Sequence, residues 1–338
     1  MRAVRYGAVR ELPTLGDIAE PVCPDDGVIV TVVATGVCRS DWHAWQGHEE
    51  VALPHVPGHE YAGTVTSVGR DVRSVGVGDR VTVPFVLGCG RCEYCRRGDA
   101  QVCPDQLQPG FDLPGSFAER LAVPRADPNV VRLPDEVSYA AAAALGCRFA
   151  TAYRAVVSHG QVQPDQWVAV LGCGGVGLSA VMIAVARGAR VVAVDVRPDA
   201  LDAARDLGAE RTVEAGPEVV REIHEMTGGA HVGIDAIGDP TAAATSVAAL
   251  RPRGRHVQVG LLVGEDARTA LPMDLVVGRE LTVLGSHGMP AVDYPEMLRL
   301  VASGALDPER LVSRRIGLED AGRALADMSA PGITLVEP

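Results

Sequence analysis

A chain of 338 residues is long for one hydrophobic core and comfortable for two, because single cores stop growing near roughly 250 to 300 residues. Its formal net charge of −12 and pI near 5.2 argue against binding that rests on neutralising nucleic-acid phosphates. All 31 basic residues are Arg, so there is no lysine for a Schiff base, a P-loop or a general base. With 47% apolar residues and a mean hydropathy of +0.13, the chain reads as globular. No apolar run approaches the ~18 residues of a membrane span, and no apolar segment follows Met1-Arg-Ala-Val-Arg-Tyr-Gly to form a secretory signal. A cytoplasmic protein with neither membrane nor nucleic acid among its partners is expected.

In chain order, residues 27–36 and 62–83 are rich in Val and Thr and broken by Gly, a pattern of short strands joined by tight turns. The first stretch, to about residue 150, is expected to be mostly β. Three segments here end in soft or borderline metal ligands: Val37-Cys-Arg-Ser-Asp-Trp-His43, Pro57-Gly-His-Glu60 and Leu145-Gly-Cys147. Singly, Cys38 and Cys147 read more simply as packed thiols and His59 as a turn histidine. Together they would give a three-ligand site with one tetrahedral position open, as in catalytic zinc sites.

Cys89, Cys92, Cys95 and Cys103 lie within fifteen residues. Four thiolates so close in sequence suit a closed, structural zinc site. An iron–sulfur cluster, which also takes four Cys, is the lesser alternative, and disulfides do not suit the expected compartment.

From Asp165 the pattern changes to short apolar runs alternating with Ala-rich stretches of helical period, the signature of βαβ units and a parallel sheet. Strands are expected near 167–171, 190–195, 211–213, 231–236, 255–260 and 281–285, and helices near 177–187, 198–207, 217–226 and 241–250. Six strands suit a doubly wound dinucleotide-binding fold. The apolar run 167–171 leads straight into Gly172-Cys-Gly-Gly-Val-Gly177 and then a helical stretch. In that order, Gly172 serves the tight turn, Gly174 the approach of backbone to a pyrophosphate and Gly177 the close packing of helix on strand, with Gly175 and Val176 at the helix N-terminus where an anion is favoured. Asp195 closes the next strand, suited to the adenosine ribose hydroxyls and repelling a 2′-phosphate. That favours NAD over NADP, while nearby Arg197 keeps NADP open. From about His287 the alternation ends, and the tail is expected to return to the first domain.

Motif by motif, the chain resembles the zinc-containing medium-chain alcohol dehydrogenases. The match runs through Gly36-Val-Cys-Arg-Ser-Asp, Pro57-Gly-His-Glu-Tyr-Ala-Gly, the Cys89 to Cys103 lobe, Gly115-Ser-Phe-Ala-Glu, Leu145-Gly-Cys-Arg-Phe-Ala-Thr-Ala-Tyr and the glycine loop, in family order. The resemblance implies a GroES-like, mostly β catalytic domain (1–148 with 287–338) and a Rossmann NAD-binding domain (149–286). It also implies two zinc ions per chain, a catalytic one on Cys38, His59 and Cys147 and a structural one on the four-Cys lobe. Glu60 looks like the family's inner acid, ranked behind the other three ligands, and Asp41 like the carboxylate that orients the zinc-binding histidine. Ser40 and His43 stand at the family's proton relay, Arg39 at a contact to the cofactor pyrophosphate and Thr151 beside the nicotinamide.

One departure stands out. Where several relatives carry an arginine for the pyrophosphate, this chain reads Ala330-Pro-Gly-Ile-Thr, and that contact is expected to be missing. Trp42, Trp45 and Phe85 are candidates to line an apolar substrate pocket. The expected activity is reversible hydride transfer between a primary or secondary alcohol and NAD, giving an aldehyde or ketone, in a homo-oligomer (dimer or tetramer). A polyol or sugar-alcohol dehydrogenase and a non-catalytic, zinc-stapled dinucleotide-binding protein are the alternatives.

Overall fold

The computed structural model describes residues 1–328 and 332–338, and the chain divides into two compact units, Met1–Ala150 with Gly288–Pro338, and Thr151–His287. In the first unit the strand Val28–Val37 is β-branched at most positions and buried along most of its length, as a central strand covered on both faces must be. It pairs antiparallel with Glu60–Val68, Arg120–Val123 and Ile333–Glu337. The sheet runs Val312–Gly317, Ile333–Glu337, Val28–Val37, Glu60–Val68, Arg80–Thr82, Val131–Arg132, so the last strand of the chain sits beside its third. Val28, Val30, Val32, Tyr61, Val65, Val81, Leu121 and Val123 form one core cluster, each fully buried Val or Leu contributing about 1.5–3 kcal/mol.

The second unit is a six-stranded parallel sheet in the order Arg211–Glu214, Arg190–Asp195, Trp167–Leu171, Ala230–Asp235, Leu250–Gln258, Thr282–Gly285. This is the doubly wound arrangement, with its switch of strand order at Trp167–Leu171, where ligands bind outside the carboxyl ends of the strands. All five residues of that strand are buried. The helix Gly175–Ala186 that follows is buried continuously from Gly177 to Ala184, so both read as unbroken apolar runs rather than alternating ones. The fold is α/β: a GroES-like, mostly β unit and a Rossmann unit.

Several elements differ from expectation. The helix after the glycine loop starts at Gly175 rather than 177, since glycines carry no helix signal although they fit an N-terminus. The strand expected at 255–260 spans Leu250–Gln258, with an irregularity near its start. The mostly β first part also holds helices the Val/Thr pattern did not announce, among them Arg39–Gln46 and Tyr139–Ala144. Arg39–Gln46 is capped by Cys38 and Asp41, and Tyr139–Ala144 is capped by Ser138, whose hydroxyl accepts from the Ala141 amide. Its run of Ala is the strongest helix former available. Among the described residues no helix is long and apolar enough to cross a membrane.

Candidate metal centres and cofactor loop

Strand pairing brings the first cluster together. Gly36 stands opposite Glu60 in the antiparallel ladder, so Cys38, just beyond one strand, and His59, just before the other, meet at the same end of the sheet. Cys147 arrives from a helical segment that breaks at Gly146 (φ −44°, ψ −110°). A Cβ on Gly146 would sit 2.6 Å from the Glu60 side chain, so only glycine lets that turn approach. Ligand atoms of Cys38, His59 and Cys147 all lie within 4.8 Å of one another.

Asp41 orders this cluster. Its carboxylate, wholly buried, accepts from His59 Nδ1 at 2.9 Å, from the Gly58 amide at 2.9 Å and from the Cys38 amide at 3.2 Å. With its Nδ1 proton given to Asp41, His59 turns Nε2 into the cluster as a lone pair. That atom is buried and has no hydrogen-bond partner, which a metal ion would resolve. Burial opposes charging of His59, but Asp41 and Cys38 outweigh it and hold the ring well above the usual histidine range, so Nε2 attracts a cation, either a second proton or the metal that would replace it. The hydrogen bond from Cys147, reinforced by Arg148 and His59, holds the Cys38 thiol well below its usual range. Two thiols and an oriented imidazole lone pair are a donor set that fits zinc with one position open.

Glu60 stands next to this cluster but outside it. One carboxylate oxygen accepts from the amides of Cys147 (3.0 Å) and Arg148 (2.9 Å) and from Arg148 Nε (3.1 Å), and the other pairs with Arg148 Nη2. Both side chains are buried. Arg148 was not singled out in the sequence. Its one signal was a charged residue directly after a candidate ligand in an Ala-rich apolar stretch.

The second cluster is the lobe at Cys89, Cys92, Cys95 and Cys103, whose sulfurs all lie within 4.8 Å of one another. Cys89 and Cys95 are 4.0 Å apart and Cys92 and Cys103 3.7 Å. A tetrahedron with metal–sulfur bonds of about 2.3 Å has edges of about 3.8 Å, so the spacing fits a closed four-thiolate zinc site. The amides of Cys92 and Cys95 donate to Cys89 and Cys92 Sγ, and that of Cys89 to Cys103 Sγ. Donation from the Arg91 amide, aided by Cys92, draws the Cys89 thiol down to about 6, while burial pushes Cys95 up to about 12 and raises Cys103, so Cys89 is the thiol held readiest as the thiolate that binds metal. None of the eight cysteines is in a disulfide.

Beside the first cluster, the Ser40 hydroxyl lies 3.9 Å from Cys38 Sγ. His43 Nδ1 is 2.9 Å from Nδ1 of His48, a partner the sequence reading passed over although it follows the helix-ending Gly47 by one residue. Arg39 is exposed, its guanidinium 5.0 Å from the Trp42 ring centre. Of the aromatic candidates, Phe85 packs its ring 6.0 Å from His59, and Phe111, not singled out in the sequence, packs at 5.2 Å. Trp45 belongs to the core instead, packed with Val4, Tyr6 and Phe117 and donating its indole N–H to the Glu11 carbonyl; Trp42 leans on the same core. Of the three aromatic candidates, Phe85 is the one packed against a residue of the cluster.

In the second unit, Gly172 adopts φ +91°, and a Cβ on Gly177 would lie 1.7 Å from the Gly172 carbonyl oxygen. Gly174, Gly175 and Val176 lead into the helix, and the space around Gly174 is open. Asp195, at the end of its strand, accepts from the amides of Cys173 (2.7 Å) and Arg197 (2.9 Å), with Arg197 Nε 4.0 Å away. It thereby ties the glycine loop to the next strand. Thr151 opens this unit, buried, its carbonyl accepting from Ser286. The position Ala330 lies outside the described residues.

Known proteins match this arrangement. Residues 24–135 match the alcohol dehydrogenase GroES-like domain family and residues 175–303 the zinc-binding dehydrogenase family. An alcohol dehydrogenase of Geobacillus stearothermophilus is 34% identical over 91% of this chain and 90% of its own length. The structure of alcohol dehydrogenase TADH from Thermus sp. ATN1 superposes with a TM-score of 0.92 at 31% identity, over 100% of this chain and 99% of that one. A putative zinc-binding dehydrogenase from Sinorhizobium meliloti 1021, solved bound to NADP, superposes at 0.90 with 29% identity over the same shares. The chain therefore belongs to the zinc-containing alcohol dehydrogenase family of medium-chain dehydrogenases.

Proposed function

We propose that this oxidoreductase interconverts an apolar primary or secondary alcohol and its aldehyde or ketone with NAD, using one zinc ion on Cys38, His59 and Cys147 and a second on the four-cysteine lobe. The observation that carries the reading is His59: a fully buried imidazole, oriented by Asp41, whose Nε2 has no partner but two thiols beside it. When bound, zinc would supply Lewis-acid polarisation and NAD a hydride acceptor. The chain's own groups do the rest. Asp41 holds the imidazole in the ligating tautomer. Glu60 and Arg148 neutralise each other and clamp the turn that carries Cys147. Phe85 and Phe111 flank His59 with apolar surface, which suits an apolar substrate better than a polyol. Ser40, small and close to Cys38, relays the alcohol proton, and His43 accepts it. Gly172 to Gly177 and the following helix N-terminus hold the pyrophosphate, with Arg39 and Thr151 as further cofactor contacts.

Asp195 is the basis for NAD, since a 2′-phosphate would meet its carboxylate. NADP is the second reading, favoured by Arg197 alongside and by the NADP-bound relative. A homo-oligomer belongs to this reading as well. The test is the appearance of reduced cofactor with a panel of linear, branched and aromatic alcohols and with polyols, using NAD and NADP in turn. Turnover of apolar alcohols with NAD supports the reading. Preference for polyols overturns the substrate class, preference for NADP the cofactor, and no turnover leaves a zinc-stapled binding protein.

A further inference from the structure

The second unit carries a basic cleft that the dehydrogenase reading does not use. Its volume is about 460 Å³, and Gln166, His231, Arg251, Arg253 and Arg255 line it. Gln166 precedes the strand Trp167–Leu171, and the others lie at the starts of Ala230–Asp235 and Leu250–Gln258. The cleft is therefore at the opposite end of the parallel sheet from Gly172. It owes its form to a bulge. Ladder pairing steps from Ala230↔Leu250 to Val232↔Arg255, so residues 251–254 stand opposite His231 alone. Arg253 takes φ +66° there, a backbone conformation uncommon for a residue with a Cβ.

Three arginines within five residues are a local exception in a chain of net charge −12. Arg253 pairs with Glu280 at 2.5 Å. Arg255 donates to the Gly160 carbonyl at 3.3 Å, and among the described residues neither Arg251 nor Arg255 forms an ion pair with a carboxylate. Two positive charges are left uncompensated.

The contact between Arg251 and His231 points to what would compensate them. The Trp167 amide donates to His231 Nδ1 at 3.0 Å. An amide N–H only donates, so Nδ1 carries the lone pair and the neutral ring bears its proton on Nε2. Burial, and then the neighbouring guanidinium, lower the affinity of this ring for a second proton. Yet Arg251 Nη1, which also only donates, lies 2.8 Å from that Nε2. Two N–H donors stand side by side at the cleft without a shared acceptor, an arrangement that an anionic oxygen beside the pair, accepting from both, would satisfy. Gln166 adds another donor: its Oε1 accepts from the Gln163 amide, and its amide nitrogen remains free to donate.

We propose that this cleft binds a phosphate group, held by Arg251, Arg255 and the His231 Nε2–H. The two unpaired guanidinium charges match a phosphate dianion better than a single carboxylate. A volume within the roughly 300–1,000 Å³ of small-molecule sites leaves room for the organic part of a phosphate monoester. Free phosphate and a monoester present the same group.

The test is calorimetric titration of the zinc-loaded full chain, in saturating NAD and constant chloride, with inorganic phosphate and with glycerol 3-phosphate. Wild type is compared with Arg251→Gln/Arg255→Gln and with Arg253→Gln, whose charge is already paired. One saturable site is expected, weakened by at least about tenfold in the double variant and by less than about threefold in Arg253→Gln. In histidine-¹⁵N-labelled wild type, the His231 Nε2 resonance shifts on titration and stays fixed in the double variant. A tighter fit for the ester assigns the site to a phosphorylated small molecule, equal affinity to free phosphate. No saturable binding of either probe, or equal binding by wild type and double variant, overturns the proposal. Neither readout involves turnover, so its failure is distinct from failure of the dehydrogenase reading.

Discussion

Arg148 and Glu60 show how much rests on single residues near the Cys38 cluster. Both are buried and each is the other's charge partner. Removing one member of such a pair strands the other, at a cost of about 3–5 kcal/mol. Arg148→Leu is therefore expected to lower the unfolding free energy obtained from denaturant titration by that amount, while Arg148→Lys, which keeps the charge but loses the two-pronged geometry, lowers it less. His43 offers a second test at this scale. Burial, then the neighbouring His48 and Arg39, hold its ring below the ordinary histidine value of about 6.5. Proton acceptance needs the neutral ring, so a lowered affinity keeps it competent at lower pH. The acid limb of the kcat/KM profile for alcohol oxidation is expected below that value. Replacing His48 with Gln removes one source of repulsion, and the limb should move to higher pH. A limb that stays in place, or moves down, would remove His43 from the proton path.

At the scale of elements, the two cysteine-bearing sites were legible to different degrees. The lobe was visible because its four ligands come from one short stretch, and spacing alone brought Cys89 to Cys103 together. The Cys38 site was visible only as three separate motifs, since its assembly depends on the ladder pairing of Gly36 with Glu60 and on a turn that Gly146 permits. What sequence could not convey was the company each residue keeps. His48 beside His43, Arg148 around Glu60 and Phe111 beside His59 are all contacts made by folding, and Trp45 turned to the core because its indole found the Glu11 carbonyl there. The lobe holds little apart from its thiols, with a four-residue helix and one short turn. Cys92→Ser is expected to lose one zinc per chain and to open residues 88–103 to limited proteolysis, with the second unit remaining resistant. In the glycine loop, Gly177→Ala drives a Cβ against the Gly172 carbonyl. At least about tenfold weaker NADH binding, read by fluorescence titration, is expected because the helix N-terminus can no longer reach its position.

At the scale of the molecule, the proposed activity asks each unit for one component, a metal from the sheet that ends in Cys38 and His59 and a cofactor from the parallel sheet that ends in a glycine loop. Fold class was readable from periodicity because the second unit's strands are buried on both faces and its helices alternate with them. The β unit was readable only in outline, since its closing strand Ile333–Glu337 arrives from the far end of the chain. The measurement that tests the central claim most directly is zinc per chain, by elemental analysis, in wild type and Cys38→Ser, with alcohol-dependent NADH formation followed on the same samples. Two zinc ions and turnover in the wild type, falling to one zinc ion without turnover in the variant, is the predicted result. An unchanged zinc count in Cys38→Ser, or turnover that survives the substitution, would contradict it.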